Sequence, residues 1–275
     1  MRVFSDQFPI ANKVKLAPLL YKYSFHAPSI STLAKPGQFI QIKTSKDYFP
    51  LWPRPFSIFD TDPKTGMLSI IFKQFGCGTS QLADMDIGDS LQLLGPLGNG
   101  FDIPNTKNDI IMAAGGVGLP PLYMLSKWAI NSGISKSKIT FISGAKTKDE
   151  LFDDASLDSL GVNLEICTDD GSKGLKGTVV DILEKEIEKN NSPLVYSCGP
   201  EKMLERVDAL IIKNNLHGFL SLEQLMPCGY GICSGCAIKV VPPDRHGPTD
   251  DNRDYHLKRV CKEGPVFKAG EVIWE

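Results

Sequence analysis

The chain has 275 residues, of which 42% are hydrophobic and 23% charged, and its formal net charge is −2. This length allows one to three domains with a real core. The near-neutral charge, without a long basic or acidic run, argues against nucleic acid as a partner. No apolar run reaches the length of a membrane span, and the N-terminus lacks the pattern of a signal peptide. We therefore expect a cytoplasmic protein without a membrane span.

The first hundred residues consist of short apolar or alternating runs separated by turn residues. Runs of this kind predict an antiparallel β-barrel. The candidate strands are residues 19–26, 39–44, 56–60, 67–72 and 90–94.

Two segments of this barrel have the chemistry of a phosphate site. Arg54 offers a planar guanidinium, followed by Pro55, the flat ring of Phe56 and the hydroxyl of Ser57. About twenty residues later, the glycine turn 76–79 precedes a possible helix, whose free N–H groups could bind phosphate. Either segment alone is better explained as an edge strand or a hairpin turn. Together they predict a pyrophosphate cradle.

The middle of the chain changes to continuous apolar runs that alternate with amphipathic stretches. This alternation predicts a doubly wound α/β sheet. The predicted strands are 109–114, 139–143, 163–168 and 194–197, and the predicted helices are 122–130, 178–189 and 201–214.

A glycine turn, Gly115-Gly116-Val117-Gly118, follows the first of these strands. It is shorter than the G-x-G-x-x-G fingerprint, but its glycines would likewise let a phosphate come close to the N-terminus of the following helix. A tight strand-to-helix turn without a ligand explains the segment equally well.

Four cysteines near the C-terminus have the spacing of a plant-type 2Fe–2S cluster. Cys228, Cys233 and Cys236 follow a C-x4-C-x2-C pattern, and Cys261 comes after an intervening loop. A zinc site usually has two separate cysteine pairs, so a zinc site or a group of unpaired thiols is the weaker alternative. The other three cysteines are scattered, which favours a reducing compartment over a disulfide framework.

The barrel motifs resemble the FAD domain of the ferredoxin–NADP reductase superfamily. The resemblance rests on the RPFSI strand, the strand after residue 70, the GCGT turn and the GPLGNGF segment at 95–101. In that family the Arg-x-x-Ser strand lies along the flavin and the glycine turn holds its phosphates. The resemblance implies that FAD is bound by Arg54, Pro55, Phe56, Ser57, Ile71, Phe72, Lys73, Gly78 and Thr79. Cys77 stands where a basic residue is frequent, so Arg54 or Lys73 is expected to supply the missing charge.

The same superfamily has a GGxGxxP turn and a later Cys-Gly-Pro as its nicotinamide site. The resemblance therefore implies that the nucleotide is bound by Gly116, Gly118, Cys198, Gly199 and Pro200. Cys198 would lie near the nicotinamide ring, although a buried thiol at a strand end is the plain alternative. Asp149 and Glu150 favour NAD over NADP, whereas the lysines of that loop favour the reverse.

The whole chain resembles the electron-transfer subunits of NAD-linked dihydroorotate dehydrogenase. The predicted domains are a flavin barrel at 1–103, a nucleotide domain at 104–220 and a cluster domain at 221–275. The resemblance implies electron transfer from an FMN-containing dihydroorotate-oxidising subunit through the cluster and FAD to NAD, in pyrimidine biosynthesis, and a heterotetramer with two copies of each chain. The surface for that partner is expected at Tyr230, Ile232 and Ser234. The loop at 240–254 is longer than in those subunits, which leaves the partner open.

Two other functions are compatible with the sequence. The first is a reductase subunit with the same cofactors that acts with ferredoxin, a hydrogenase or a sulfide dehydrogenase. The second is a zinc-stabilised binding module on a vestigial scaffold, which metal analysis would reveal.

Overall fold

The computed structural model describes residues 2–45, 49–102, 108–152, 154–242 and 254–275. The predicted boundary between residues 103 and 104, and positions 243–253 of the long C-terminal loop, lie outside the described residues. Within the described ranges, no helix is long and apolar enough to cross a membrane.

The first part of the chain forms a closed antiparallel barrel, as its alternating runs predict. The six strands join in the order β1-β2-β5-β4-β3-β6. They are β1 (Phe4–Ala17), β2 (Leu20–His26), β3 (Phe39–Lys43), β4 (Arg54–Asp62), β5 (Met67–Lys73) and β6 (Ser90–Leu97). Alternate side chains of a strand point to opposite faces, and Phe25, Ile40 and Ile58 fill the interior. Helix α1 (Pro28–Ser31) follows β2, and helix α2 (Cys77–Asp84) connects β5 to β6.

Strand β1 is not among the predicted strands. Its inward anchors in the first half are Phe8 and Ile10, while the residues around them are mostly polar and exposed. Pro9 lies between the two anchors at the end of the ladder with β6. A proline and a short apolar alternation weaken the strand signal in the sequence, although the neighbouring strands β2 and β6 impose the extended conformation.

The second part is a twisted sheet with helices on both faces, which confirms the predicted doubly wound architecture. Its strand order is β10-β9-β8-β7-β11-β12-β15. The strands are β7 (Ile110–Gly115), β8 (Ile139–Ala145), β9 (Asn163–Thr168), β10 (Leu175–Lys176), β11 (Leu194–Cys198), β12 (Gly218–Ser221) and β15 (Val266–Lys268). The helices are α3 (Leu119–Asn131), α4 (Asp154–Leu160), α5 (Val179–Lys189) and α6 (Glu201–Lys213). Helix α4 is absent from the predicted elements.

The central strand β7 is buried on both faces, which explains its continuous apolar run. Ile111 and Ala113 pack in the core that includes α5 and α6. Ile110 and Met112 pack in the opposite core, against α3. This burial on both faces is typical of parallel sheets covered by crossover helices.

The C-terminal segment contains a two-stranded antiparallel sheet, β13 (Ala237–Val240) and β14 (His256–Arg259). It also returns to the nucleotide sheet, because β15 pairs antiparallel with β12. Strand β12 itself spans the predicted boundary between residues 220 and 221. The cluster segment therefore leaves the sheet after β12 and returns as β15, the strand at that edge of the sheet.

Candidate functional site

A polar cradle forms where strands β3 and β4 meet the start of helix α2. Arg54 opens β4 opposite Ile42, and Thr44 follows the end of β3. A Cβ atom on Gly78 would lie 3.1 Å from both Arg54 Nε and Thr44 Oγ1. The N–H groups in the first turn of a helix have no partner within the helix. The fold thus brings the predicted Arg54 and Gly78 side by side and adds Thr44.

Thr44 is the member of the cradle that the sequence motifs do not indicate. Its side chain is 1% exposed, and its Oγ1 is buried without a hydrogen-bond partner. The Arg54 guanidinium is oriented by donating to the Trp52 carbonyl at 2.8 Å. A fixed cation, an unpaired hydroxyl and a helix start fit the pyrophosphate of FAD.

Thr79 shapes the turn itself. Its hydroxyl oxygen accepts from the N–H groups of Phe75 and Gly76 at 3.0 and 3.1 Å. The same hydroxyl donates to the Gly76 carbonyl at 3.0 Å. The hydrogen bonds of this threonine therefore maintain the glycine turn that presents Gly78.

Phe56 and Phe72 lie inside the barrel, where they pack edge to face with ring centroids 5.7 Å apart. We expect from the sequence that the Phe56 ring presents a flat face to a ligand, but the ring is buried inside the barrel, with 7% exposure. Pro55 and Ser57 alternate with Phe56 along β4, so they occupy the outer face. A ligand along the outside of β4 would meet Pro55 and Ser57.

The two remaining barrel residues of the predicted site connect the barrel to the nucleotide domain. Ile71 is buried in the core shared with α3. Lys73 Nζ lies 3.0 Å from the carboxylate of Glu150, in the loop after β8. Lys73 therefore pairs with one of the acidic residues that were expected to choose between NAD and NADP.

The two loops of the predicted nicotinamide site lie against each other. A Cβ on Gly118 would lie 2.1 Å from the Cys198 carbonyl oxygen, and one on Gly199 would lie 3.2 Å from Gly115 Cα. Gly116 has a positive φ of 52° and faces open space. Glycine is thus required at 118 for close loop packing and at 116 for the left-handed turn. Pro200 follows as the N-cap of α6.

Cys198 ends β11 with 2% exposure. Burial, and then the charge of nearby Glu223, raise the pKa of its thiol far above the usual range. Burial of its carboxyl likewise raises the pKa of Glu223, although the residue as a whole is exposed. Glu223 lies outside the site residues predicted from the sequence. Its signal is positional: β12 pairs with β11 at Ser221, and the carboxyl ends of adjacent parallel strands gather ligand-binding residues.

The four predicted cluster ligands lie in one region of the C-terminal segment. Cys236 and Cys261 are buried, and the Cys261 N–H donates to Cys236 Sγ at 3.4 Å. Burial, with the neighbouring thiols of Cys236 and Cys228, raises the pKa of Cys261 to about 12. Cys233 is exposed and accepts from the Gly235 N–H at 3.4 Å.

Cys228 is surrounded by donors that favour its thiolate. Burial alone would raise the pKa of this thiol, but hydrogen bonds from the N–H groups of Cys233, Tyr230 and Ile232 and from the Cys233 side chain lower it to about 6. Gly229 and Gly231 have φ values of 78° and 88°, which let the loop curl around the sulfur. Backbone donors around a thiolate fit an iron–sulfur cluster.

In the described part of the chain, no three His, Cys, Asp or Glu side chains form a group suited to a single metal ion. A 2Fe–2S cluster has a different requirement, because each of its two irons takes two protein ligands. Hydrogen bonds join Cys228 with Cys233 and Cys236 with Cys261.

Two side chains stabilise the loop that contains Cys228, Cys233 and Cys236, called the cluster loop below, and the turn after Cys261. Arg259 donates to both carboxylate oxygens of Glu263, at 3.0 and 2.5 Å, and to the Gly231 carbonyl at 2.7 Å. Asn99, in the GPLGNGF segment of the barrel, donates to the carbonyls of Lys262 and Glu263 at 3.1 and 3.2 Å. These contacts hold the turn after Cys261 against both the cluster loop and the barrel.

The outer side of the cluster loop is apolar and exposed. Tyr230 and Ile232 are 49% and 76% exposed, and Leu225, which precedes them in the chain, is 83% exposed. Ser234, also expected on this surface, is exposed as well. Exposed apolar side chains close together are typical of protein interfaces.

Comparison with known families gives two matches. Residues 223–273 match the iron–sulfur cluster binding domain of dihydroorotate dehydrogenase B. Residues 112–209 match the oxidoreductase NAD-binding domain.

Similar curated proteins share nearly the full length of the chain. The dihydroorotate dehydrogenase B (NAD(+)) electron transfer subunit of Desulforamulus reducens is 35% identical over 260 residues, covering 94% of this chain and 95% of that protein. The protein of the same name from Enterococcus faecalis is 35% identical over 271 residues, covering 98% of each chain. Among solved structures, a chain of the NADH-dependent reduced ferredoxin-NADP oxidoreductase superposes with a TM-score of 0.81 at 29% identity, covering 97% of this chain and 90% of that one.

Proposed function

We infer the function of this chain from its family, because it belongs to the electron-transfer subunits of dihydroorotate dehydrogenase B. The chain carries electrons from a dihydroorotate-oxidising FMN subunit to NAD+, in pyrimidine biosynthesis. The observation that carries the proposal is the contact between the four-cysteine segment and the barrel, made by Gln41 in β3 beside the phosphate cradle and by Asn99 after β6. Oxidation of dihydroorotate releases two electrons and two protons. NAD+ takes both electrons with one proton as a hydride, and the other proton is released.

When bound, the cluster handles single electrons and FAD handles one or two, which connects a one-electron path to a hydride acceptor. The chain's own residues hold and orient these groups. Arg54, Thr44 and the first turn of α2 at Gly78 support the FAD pyrophosphate. Pro55 and Ser57 provide the face of β4 for the flavin ring, and Phe56 and Phe72 keep that strand in place from inside the barrel.

The nucleotide would be held at the loops of β7 and β11. Gly116 offers open space at a helix start, while Gly118, Gly199 and Pro200 set the spacing of the two loops. Cys198 keeps a neutral thiol there, because burial disfavours its thiolate. The Lys73–Glu150 ion pair joins the flavin barrel to this domain at the same edge.

The cluster ligands would be Cys228, Cys233, Cys236 and Cys261. Ligation favours the thiolate form, so the charge of the irons offsets the burial that raises the pKa of Cys261. The exposed apolar side of the loop, at Tyr230, Ile232 and Leu225, is the surface for the catalytic partner. We propose a heterotetramer with two copies of each chain, in the cytoplasm, where free thiols stay reduced.

Co-expression of the chain with its FMN subunit tests the proposal. We expect FAD, about two irons per chain, a rhombic low-temperature signal from the reduced cluster, and NADH formation that depends on dihydroorotate. Native mass spectrometry should give the two-plus-two assembly. A purified chain with neither flavin absorbance nor iron would contradict the proposal, and zinc in place of iron would favour a binding module.

A second function has specific support. The superposition with the NADH-dependent reduced ferredoxin-NADP oxidoreductase covers nearly the whole chain. A subunit of such a reductase would hold the same cofactors with another partner. Co-purification with an iron–sulfur-rich flavoprotein, and no dihydroorotate-dependent NADH formation, would favour this second function.

A further inference from the structure

Gln41 of β3 is a buried polar residue outside every sequence motif described above. Its side chain is 1% exposed, and its Nε2 donates to the Met226 carbonyl at 2.6 Å. Met226 comes two residues before Cys228. In the β3–β4 register, Gln41 stands opposite Pro55. This amide therefore contacts the cluster loop and lies beside the strand proposed to carry the flavin.

The cluster loop closes directly over Gln41. A Cβ on Gly229 would lie 2.5 Å from Gln41 Cγ and 2.6 Å from its Nε2, and Gly229 has a φ of 78°. Phe39, two residues earlier on the same face of β3, packs in the core that contains Cys236 and Cys261. The cluster segment thus packs against the outer face of β3.

One atom of this side chain lacks a partner. Gln41 Oε1 is buried and accepts no hydrogen bond. A buried amide oxygen without a donor is costly, and such groups in native proteins call for a ligand or a redox role. Flavins carry N–H and hydroxyl donors, and FAD is the group proposed for the adjacent strand.

We propose, on the basis of the function proposed above, that Gln41 is a positioning residue that fixes the cluster loop against the flavin strand, with its free Oε1 accepting a hydrogen bond from bound FAD. One side chain then sets the placement of both redox groups. A change at Gln41 alters flavin binding and the cluster together, even though the residue ligates neither iron.

The test compares Gln41→Met with Thr168→Val in the complex with the partner subunit. Methionine keeps the length of the glutamine side chain and removes both hydrogen-bonding groups. Thr168→Val is the control, because this buried threonine donates to the Lys173 carbonyl at 2.9 Å and lies in β9, at the other end of the sheet from β12 and β15. The readouts are FAD affinity, the low-temperature spectrum of the reduced cluster, cluster loss to a chelator, and electron transfer from cluster to FAD after flash reduction.

For Gln41→Met we expect FAD to bind roughly three- to tenfold more weakly, as for one lost hydrogen bond. We expect about tenfold faster cluster loss, as for other residues that support metal ligands. The cluster spectrum should shift and transfer to FAD should slow, while Thr168→Val leaves all four readouts unchanged. If Gln41→Met does not fold, Gln41→Glu, which keeps an acceptor oxygen for FAD and loses the donor to the Met226 carbonyl, should still shift the cluster spectrum and speed cluster loss.

A fully loaded Gln41 variant with wild-type FAD affinity, cluster spectrum and transfer rate would overturn the role of Gln41. Equal effects of Thr168→Val would also overturn it, because they would show a general response to the loss of a buried hydrogen bond. Absence of FAD and iron from the wild-type complex would instead refute the proposed function itself.

Discussion

Replacing Thr44 with valine should change the stability of the cofactor-free protein and its FAD affinity in opposite directions. The Thr44 hydroxyl is buried and unpaired, 3.1 Å from where a Cβ on Gly78 would lie. In the cofactor-free protein the hydroxyl lowers stability, because a buried polar group without a partner loses its hydrogen bonds to water and gains none within the protein. In the loaded protein it would contact the FAD pyrophosphate.

The magnitudes follow from the burial of this one group. Removing an unsatisfied buried hydroxyl while keeping its volume should raise the free energy of unfolding of the cofactor-free protein by about 1 kcal/mol. Losing a hydrogen bond to a charged phosphate should cost about 1.5–3 kcal/mol of binding free energy, or roughly ten- to hundredfold in the FAD dissociation constant.

Denaturant unfolding of the cofactor-free protein and fluorescence titration with FAD measure the two quantities. Thr168→Val is the matched control. Its hydroxyl is also fully buried, but it donates to the Lys173 carbonyl at 2.9 Å and accepts from the Lys173 N–H at 3.0 Å. The control should lose stability and keep FAD affinity. A Thr44→Val protein that is less stable and binds FAD normally would refute the reasoning.

Three further changes test other parts of the site. Gly118→Ala should lower NADH formation while FAD and iron contents stay normal. The added Cβ, 2.1 Å from the Cys198 carbonyl oxygen, would force the two loops apart at a cost of about 1–3 kcal/mol. Normal nicotinamide reduction would contradict this. In Arg259→Lys, the lysine cannot bind both oxygens of the Glu263 carboxylate and also donate to the Gly231 carbonyl, so the cluster should be lost to a chelator about tenfold faster. An unchanged rate of cluster loss would show that Arg259 does not stabilise the cluster loop. Burial raises the pKa of Cys167 from 9.0 to about 11, so its neutral thiol stabilises the fold fully below pH 9 and progressively less toward pH 11. Between these two pH values, the unfolding free energy of wild type should fall by roughly 2–3 kcal/mol more than that of Cys167→Ala. Parallel pH curves for the two proteins would disprove this.

The sequence predicts those features of the site that rest on local spacing. Cys228, Cys233 and Cys236 are close in the chain, and a glycine turn before a helix is visible at Gly78 and Gly118. Such motifs carry their chemistry within a few residues. The alternating and continuous apolar runs likewise predict the barrel and the parallel sheet, because their periods of burial are properties of the strand itself.

The residues that the sequence does not indicate depend on contacts between distant segments. Gln41 and Met226 are far apart in the chain, and Thr44 becomes part of the cradle only when β3, β4 and α2 meet. Glu223 approaches Cys198 because β12 lies beside β11. The inward side of Phe56 is set by the barrel register, which a single strand does not determine.

The pairing of β12 with β15 makes the iron-binding segment the loop of one long hairpin. Its stem is zipped at Ser221 and Val266, so both ends of the loop leave the sheet from the same place. The segment could be exchanged for a tight turn without redirecting the rest of the chain. A flavin reductase of this architecture can thus gain or lose its iron module by editing a single connection.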